Sequence, residues 1–142
     1  MEEAKVFFRE GDPLIAYVGG NKDAFEKMTE KLKEVTQLRA FFTLGTQGVT
    51  EALRKVISGA FQAGIAMGSW EIPEEYEKIQ KKEKLTDEQM FEVFPMGISA
   101  MAIVSGWDAE RAVEAAEELG IEGYVIGELL KKQLNAPEII LI

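Results

Sequence analysis

The 142-residue sequence contains no histidine and no cysteine. Without cysteine there can be no disulfide, thiolate metal site or sulfur nucleophile. Without histidine the usual proton shuttle near neutral pH is missing, and so is the commonest metal ligand. Any acid–base chemistry falls to Asp, Glu, Lys or Tyr. Positive charge is scarce too: 16 Lys and Arg stand against 25 Asp and Glu, a formal net charge of -9. Such a surface repels phosphate backbones and anionic lipid, so neither nucleic acid nor membrane is an expected partner. No run approaches the roughly 18 apolar residues of a membrane span. The first residues, MEEAKVFF, are acidic and lack the apolar stretch of a signal peptide. The expected compartment is the cytoplasm.

Hydrophobic residues make up 46% of the chain, enough for one core without staples. At this length a single domain spanning residues 1–142 is expected. Lys5 to Arg9 reads as a strand, Glu10-Gly11-Asp12-Pro13 as a turn, and Leu14 to Val18 as a second strand, a candidate hairpin partner of the first. Gly19-Gly20 breaks the chain. Asn21 or Asp23 then caps a helix to about Val35, whose Phe25, Met28, Leu32 and Val35 form one buried stripe.

Arg39 to Leu44 predicts a strand. The Gly45-Thr46-Gln47-Gly48 loop follows, then a helix carrying Val49, Leu53, Val56 and Ile57. Ala63 to Trp70 is strand-like, although Gly64 and Gly68 weaken it. Pro73 suits a first helical position. Thr86 with Gln89 has the spacing of a capping box. Gly97 to Ser105 predicts a strand buried on both faces. Asp108 caps a helix with Ala112, Val113, Ala116 and Leu119 facing inward, and Gly120 ends it. Tyr124 to Ile126 and Glu138 to Ile142 are the last strands. The fold class is α+β: one mixed β-sheet flanked by helices in α/β/α layers.

Taken together, the Gly loop, VTEALRKV, GSWEIP, LTDEQMFEVFPMGIS and GYVIGEL resemble the C-terminal domain of aminoimidazole ribonucleotide synthase, the cyclo-ligase of purine synthesis, and of related ATP-dependent enzymes. The resemblance runs from about Asp12 to Leu130. The family's loop typically reads His-Ile-Thr-Gly-Gly-Gly and then Leu-Thr-Glu-Asn-Leu-Pro-Arg. Here Gly48, Thr50, Glu51 and Leu53 match, whereas Thr43 stands for the His, Ala52 for the Asn and Lys55 for the Arg. Gly68-Ser69-Trp70, Pro73, Glu88, Met90, Phe91, Phe94, Met96-Gly97-Ile98 and Tyr124 to Glu128 also match. In the family, ATP and metal lie on an N-terminal domain to which nothing here corresponds. The resemblance therefore implies the fold, and it does not carry the reaction.

A helix following a Gly-containing loop can hold an anion with free N–H groups and the helix dipole. Gly45, Thr46, Gln47, Gly48 and Thr50 are the candidate ligand-binding residues. The plain alternative is a tight strand-to-helix turn. Phe94-Pro95-Met96-Gly97 has two readings, a pocket lining or, more commonly for such residues, core and backbone constraint. Trp70 and Trp107 read as packing or as interface residues. Glu74, Glu75 and Glu77, like Glu114, Glu117 and Glu118, have the spacing of solvated helix faces. No catalytic residue, metal or cofactor is expected.

The apolar end, Ile139 to Ile142, is either a sheet strand or a subunit interface. A homodimer is expected. Three functions remain. The first is a stand-alone or accessory module binding a small phosphorylated or nucleotide-like ligand, without ATP chemistry of its own. The second is the substrate-binding part of a cyclo-ligase-type enzyme whose ATP-binding subunit is separate or absent. The third is a purely structural oligomeric protein.

Overall fold

The run Leu14-Ile15-Ala16-Tyr17 fixes the layering. Successive side chains on a strand leave opposite faces, and all four of these are fully buried. Leu14 and Ala16 enter one apolar cluster, Ile15 and Tyr17 another. A strand buried on both sides must lie inside a sheet that is covered on both sides.

The computed structural model describes residues 8–57 and 59–142. In chain order the elements are β1 (Pro13–Val18), α1 (Lys22–Val35), β2 (Leu38–Thr43), α2 (Val49–Val56), β3 (Phe61–Ile65), α3 (Glu74–Glu83), α4 (Asp87–Val93), β4 (Ala100–Val104), α5 (Ala109–Glu117), β5 (Glu122–Lys131) and β6 (Ile139–Leu141). The six strands form one sheet in the order β2-β4-β1-β5-β3-β6. Four neighbour pairs are antiparallel, and β3 with β6 is parallel. The sheet is therefore mixed, and helices flank both faces.

On one face Leu14, Met101, Ile103, Ile126 and Leu129 pack with Leu53 of α2 and Met90 and Phe91 of α4. On the other, Ile15, Tyr17, Ala102 and Val104 pack with Met28 and Leu32 of α1 and Ala112 and Ala116 of α5. The expected helix stripe over residues 25–35 is present, and Asn21 caps it by accepting from the Ala24 N–H at 2.9 Å. Thr86 and Gln89 form both halves of a capping box.

Several expectations shift. Lys5 to Phe7 lie outside the described residues, and Phe8 and Arg9 are not in a strand. The hairpin reading fails, because both edges of β1 are taken by β4 and β5. The Ala63-to-Trp70 strand ends at Ile65. A turn closes there, with the Ser69 N–H and hydroxyl both donating to the Ala66 carbonyl and Gly68 at φ +86°. Pro73 sits one step before the helix, at its cap.

The strand expected from Gly97 starts at Ala100, because Met96 and Gly97 both take positive φ. Trp70 locks that turn by donating its indole N–H to the Met96 carbonyl at 3.0 Å. A Cβ on Gly97 would lie 2.6 Å from Pro73 Cδ, so the Phe94-to-Gly97 stretch is a packing constraint. Asp108 occupies its cap position, but its carboxylate makes no cap bond. It turns instead to the Gln37 N–H and the Ser105 hydroxyl, both at 2.7 Å.

Candidate functional site

The five residues of the glycine loop do not converge. Leu44 anchors the loop in the core, and its carbonyl accepts the Gln47 N–H at 3.0 Å. Gly45 takes φ +61° with open space around it, and both it and Thr46 are exposed. Gln47 points along the helix, and its side-chain oxygen accepts from Lys55 Nζ at 2.7 Å. Gly48 and Thr50 are buried.

The start of α2 abuts the end of α4. The Val49 N–H donates to the Phe94 carbonyl at 3.2 Å, and the Arg54 guanidinium meets Glu92 at 2.9 Å. The first orphan donor of the helix is thus satisfied within the chain. The bond to Glu92 holds the Arg54 pKa above its ordinary value.

Gly45 opens instead onto a groove of about 600 Å³. Lys22, Phe25, Glu26 and Thr29 of α1 form one wall, Phe41 and Thr43 of β2 the other, and Ser99 closes it beside Gly45. The Phe25 and Phe41 ring centroids are 6.2 Å apart at 55°, and Phe41 leans on Tyr17 at the same distance. Ser99 is fixed, because its hydroxyl faces the Tyr17 carbonyl at 2.9 Å and the Gly19 carbonyl at 2.7 Å. Gly19 and Gly20 both have positive φ, and a Cβ on Gly20 would press on Ile121 and Phe25 at 3.0 Å. The double glycine lets the chain leave β1 and start α1 tight against the groove.

The groove offers an apolar aromatic wall, a cation at Lys22, an anion at Glu26, hydroxyls at Thr43 and Ser99, and open backbone at Gly45. That mixture suits a small amphipathic ligand. The sequence pointed to Gly45. It did not reveal the rest, because the walls come from three distant segments and Phe25 reads as core. One signal was available: Phe41-Phe42 on a strand must send one ring to each face.

A six-stranded mixed sheet with this order, covered by helices on both faces and carrying the groove between its first helix and its β2 edge, defines a layered α+β domain. Residues 27–139 match the family described as AIR synthase related protein, C-terminal domain, and the chain belongs to that family. The phosphoribosylformylglycinamidine cyclo-ligase of Caldicellulosiruptor saccharolyticus is 35% identical over 107 residues, which are 75% of this chain and 31% of that protein. The Geobacillus kaustophilus cyclo-ligase is 30% identical over 107 residues, again 75% and 31%. The chain thus spans about a third of the length of the curated relatives it matches. Escherichia coli HypE, a hydrogenase maturation protein, superposes with TM-score 0.70 at 14% identity, over 96% of this chain and 47% of HypE. Thermotoga maritima PurL complexed with ATP superposes with TM-score 0.64 at 16% identity, over 89% of this chain and 23% of PurL. At those identities the structural likeness establishes the fold alone.

Proposed function

We propose that this chain is a single-domain ligand-binding module of AIR synthase-related type, without ATP chemistry of its own, that takes a small anionic, nucleotide-like ligand at the Gly45 groove. The observation that carries this reading is the groove itself, roughly nucleotide-sized, with an aromatic wall at one side and open glycine backbone at the other. A planar ring lies against Phe25 and Phe41. A phosphate lies toward Lys22 and the exposed Gly45-Thr46 backbone, and Glu26 accepts from sugar hydroxyls, away from the phosphate. Gln47, Gly48 and Thr50 support the loop from behind. The module works as a homodimer.

A second reading is favoured by the third-length match to cyclo-ligases: the chain is the substrate-binding part of an ATP-dependent enzyme and pairs with a separate ATP-binding subunit. A T. maritima PurL structure is complexed with FGAR, which makes that compound a rational probe for either reading.

A thermal-shift series with inorganic phosphate, AMP, ATP and FGAR tests the site. The nucleotide-like compounds should raise Tm more than phosphate alone. Thr43→Arg, at an exposed position on the groove wall, should abolish the difference without unfolding the chain. No shift with any compound would leave a purely structural role. Hydrolysis of ATP by the chain alone would overturn the absence of ATP chemistry.

A further inference from the structure

Trp107 is 96% exposed. It stands on the turn between β4 and α5, which Asp108 holds by accepting from the Ser105 hydroxyl and the Gln37 N–H at 2.7 Å each. The indole makes no hydrogen bond or ring contact with any described residue. Trp70, by contrast, is buried and donates to Met96. An indole on a fixed turn loses little freedom on docking, and Trp is enriched among binding anchors.

Trp107 lines one end of a groove between α1 and α5. Two adjoining hollows of about 360 Å³ each make it up, and Glu34, Val35 and Arg111 line both. Val35 of α1 and Ala115 of α5 give it an apolar lining. The Lys31–Glu118 ion pair joins the two helices at the far end. From Arg111 to Glu118, α5 alone gives the groove a length of about 10 Å. That is the span of about three extended residues. None of the residues that line the Gly45 groove takes part.

Charge decides what fits there. Residues 108–118 hold five carboxylates and a single cation, Arg111. Arg111 is engaged by Asp108 at 3.7 Å, and Lys31 by Glu118. Glu34 and Glu114 line the groove from opposite helices, both exposed, and neither has a hydrogen-bond or ion-pair partner among the described residues. Two like charges facing one hollow are relieved by a cation between them. A side-chain cation suits the place better than a bare metal ion, because no three acidic groups among the described residues could hold a metal. The ring face of Trp107 attracts a guanidinium or ammonium as well.

We infer that this groove docks an extended basic segment of a partner protein, with one Arg or Lys side chain over the Trp107 ring and another between Glu34 and Glu114. The apolar lining takes the stems of those side chains. The net charge of -9 draws a basic segment toward the chain, and the groove gives it a place to stop.

Calorimetric titration of the whole chain with a capped peptide of alternating alanine and arginine tests it. The control is the same peptide with citrulline, the uncharged analogue, in place of arginine. The arginine peptide should bind and shift the Trp107 emission, whereas Trp107→Phe, which leaves only Trp70, should show no shift. Glu34→Gln and Glu114→Gln should each weaken binding about threefold, and Trp107→Ala about tenfold. All three positions are exposed, so these variants should keep the urea midpoint of the wild type. Glu74→Gln and Glu75→Gln, on α3 against the opposite core, should leave the affinity unchanged. Equal binding of the citrulline peptide, or an equal loss from the α3 variants, would overturn the groove as the seat of cation recognition. Spermidine binding as tightly as the peptide would overturn the peptide assignment. No binding up to about 1 mM peptide would overturn the inference as a whole. None of these outcomes bears on ligand shifts at the Gly45 groove.

Discussion

Gly48 presses its α-carbon against the backbone carbonyl of Glu92, so that a Cβ there would overlap the carbonyl oxygen and lie 2.9 Å from the carbonyl of Phe91. Backbone is what it would strike, and backbone cannot swing aside. Gly48 has an ordinary φ of -67°, so space rather than conformation demands the glycine. Gly45 is the reverse case, with positive φ and open surroundings. Gly48→Ala should cost about 3 kcal/mol or more by forcing α2 from α4. Gly45→Ala should cost only about 1–2 kcal/mol, the left-handed penalty. Urea denaturation of both variants reads the difference, and equal costs would contradict this account of the loop.

The capping box gives a smaller, cleaner effect. The Thr86 hydroxyl accepts the Gln89 N–H at 3.1 Å, and the Gln89 side chain accepts the Thr86 N–H at 2.8 Å. The site is exposed, so no cavity effect is mixed in. Thr86→Ala should cost about 1 kcal/mol and Thr86→Ser much less. Equilibrium urea unfolding should rank them in that order, with an unchanged m-value.

That box was legible because it is local: two residues three apart determine it. The alternation in β1 and the stripe of α1 were legible for the same reason. What escaped depends on distant partners. Ala63 to Trp70 has the apolar character of one long strand, yet the Ala66–Ser69 turn and the docking of Trp70 onto Met96 end it. Asp108 has the sequence of a helix cap, but Gln37, far away in the chain, supplies a better donor. The candidate loop was visible as a glycine signature, while Phe25, Phe41 and Ser99 meet beside it only after β2 and β4 pair.

Asp108 carries a pH signature. The Gln37 N–H, then the Ser105 hydroxyl and the Arg111 and Arg39 charges, favour its ionised form and hold its pKa below the ordinary carboxyl value. A depressed carboxyl pKa stabilises the fold above the unfolded value of about 3.9. That contribution is lost as pH falls through the lower folded value. Asp108→Asn should therefore be less stable than wild type by about 1–3 kcal/mol between about pH 5 and 7. The gap should narrow below about pH 4. Urea midpoints measured against pH would show it, and a gap independent of pH would refute the charged role of this carboxylate.

Tyr17 acts at the alkaline end. Its ring is fully buried, and its hydroxyl donates to the Ala112 carbonyl at 3.0 Å, tying β1 to α5. Burial pushes its pKa well above the ordinary tyrosine value. The native state thus keeps a proton that the unfolded chain releases near pH 10. Stability from this group is fully present below about pH 10 and falls as pH rises toward the folded value. Tyr17→Phe should cost about 1 kcal/mol at neutral pH through the lost hydrogen bond. It should also flatten the alkaline decline, so that the two proteins converge as pH rises above about 10. Tyr124, whose pKa is raised chiefly by its bond to Glu122, is common to both proteins and drops out of the comparison. Absorbance titration gives an independent reading. In wild type one tyrosine should ionise only together with loss of tertiary circular dichroism, and in Tyr17→Phe that coupled step should vanish. A tyrosine step still coupled to unfolding in the variant would mean that another ring, not Tyr17, sets the alkaline limit.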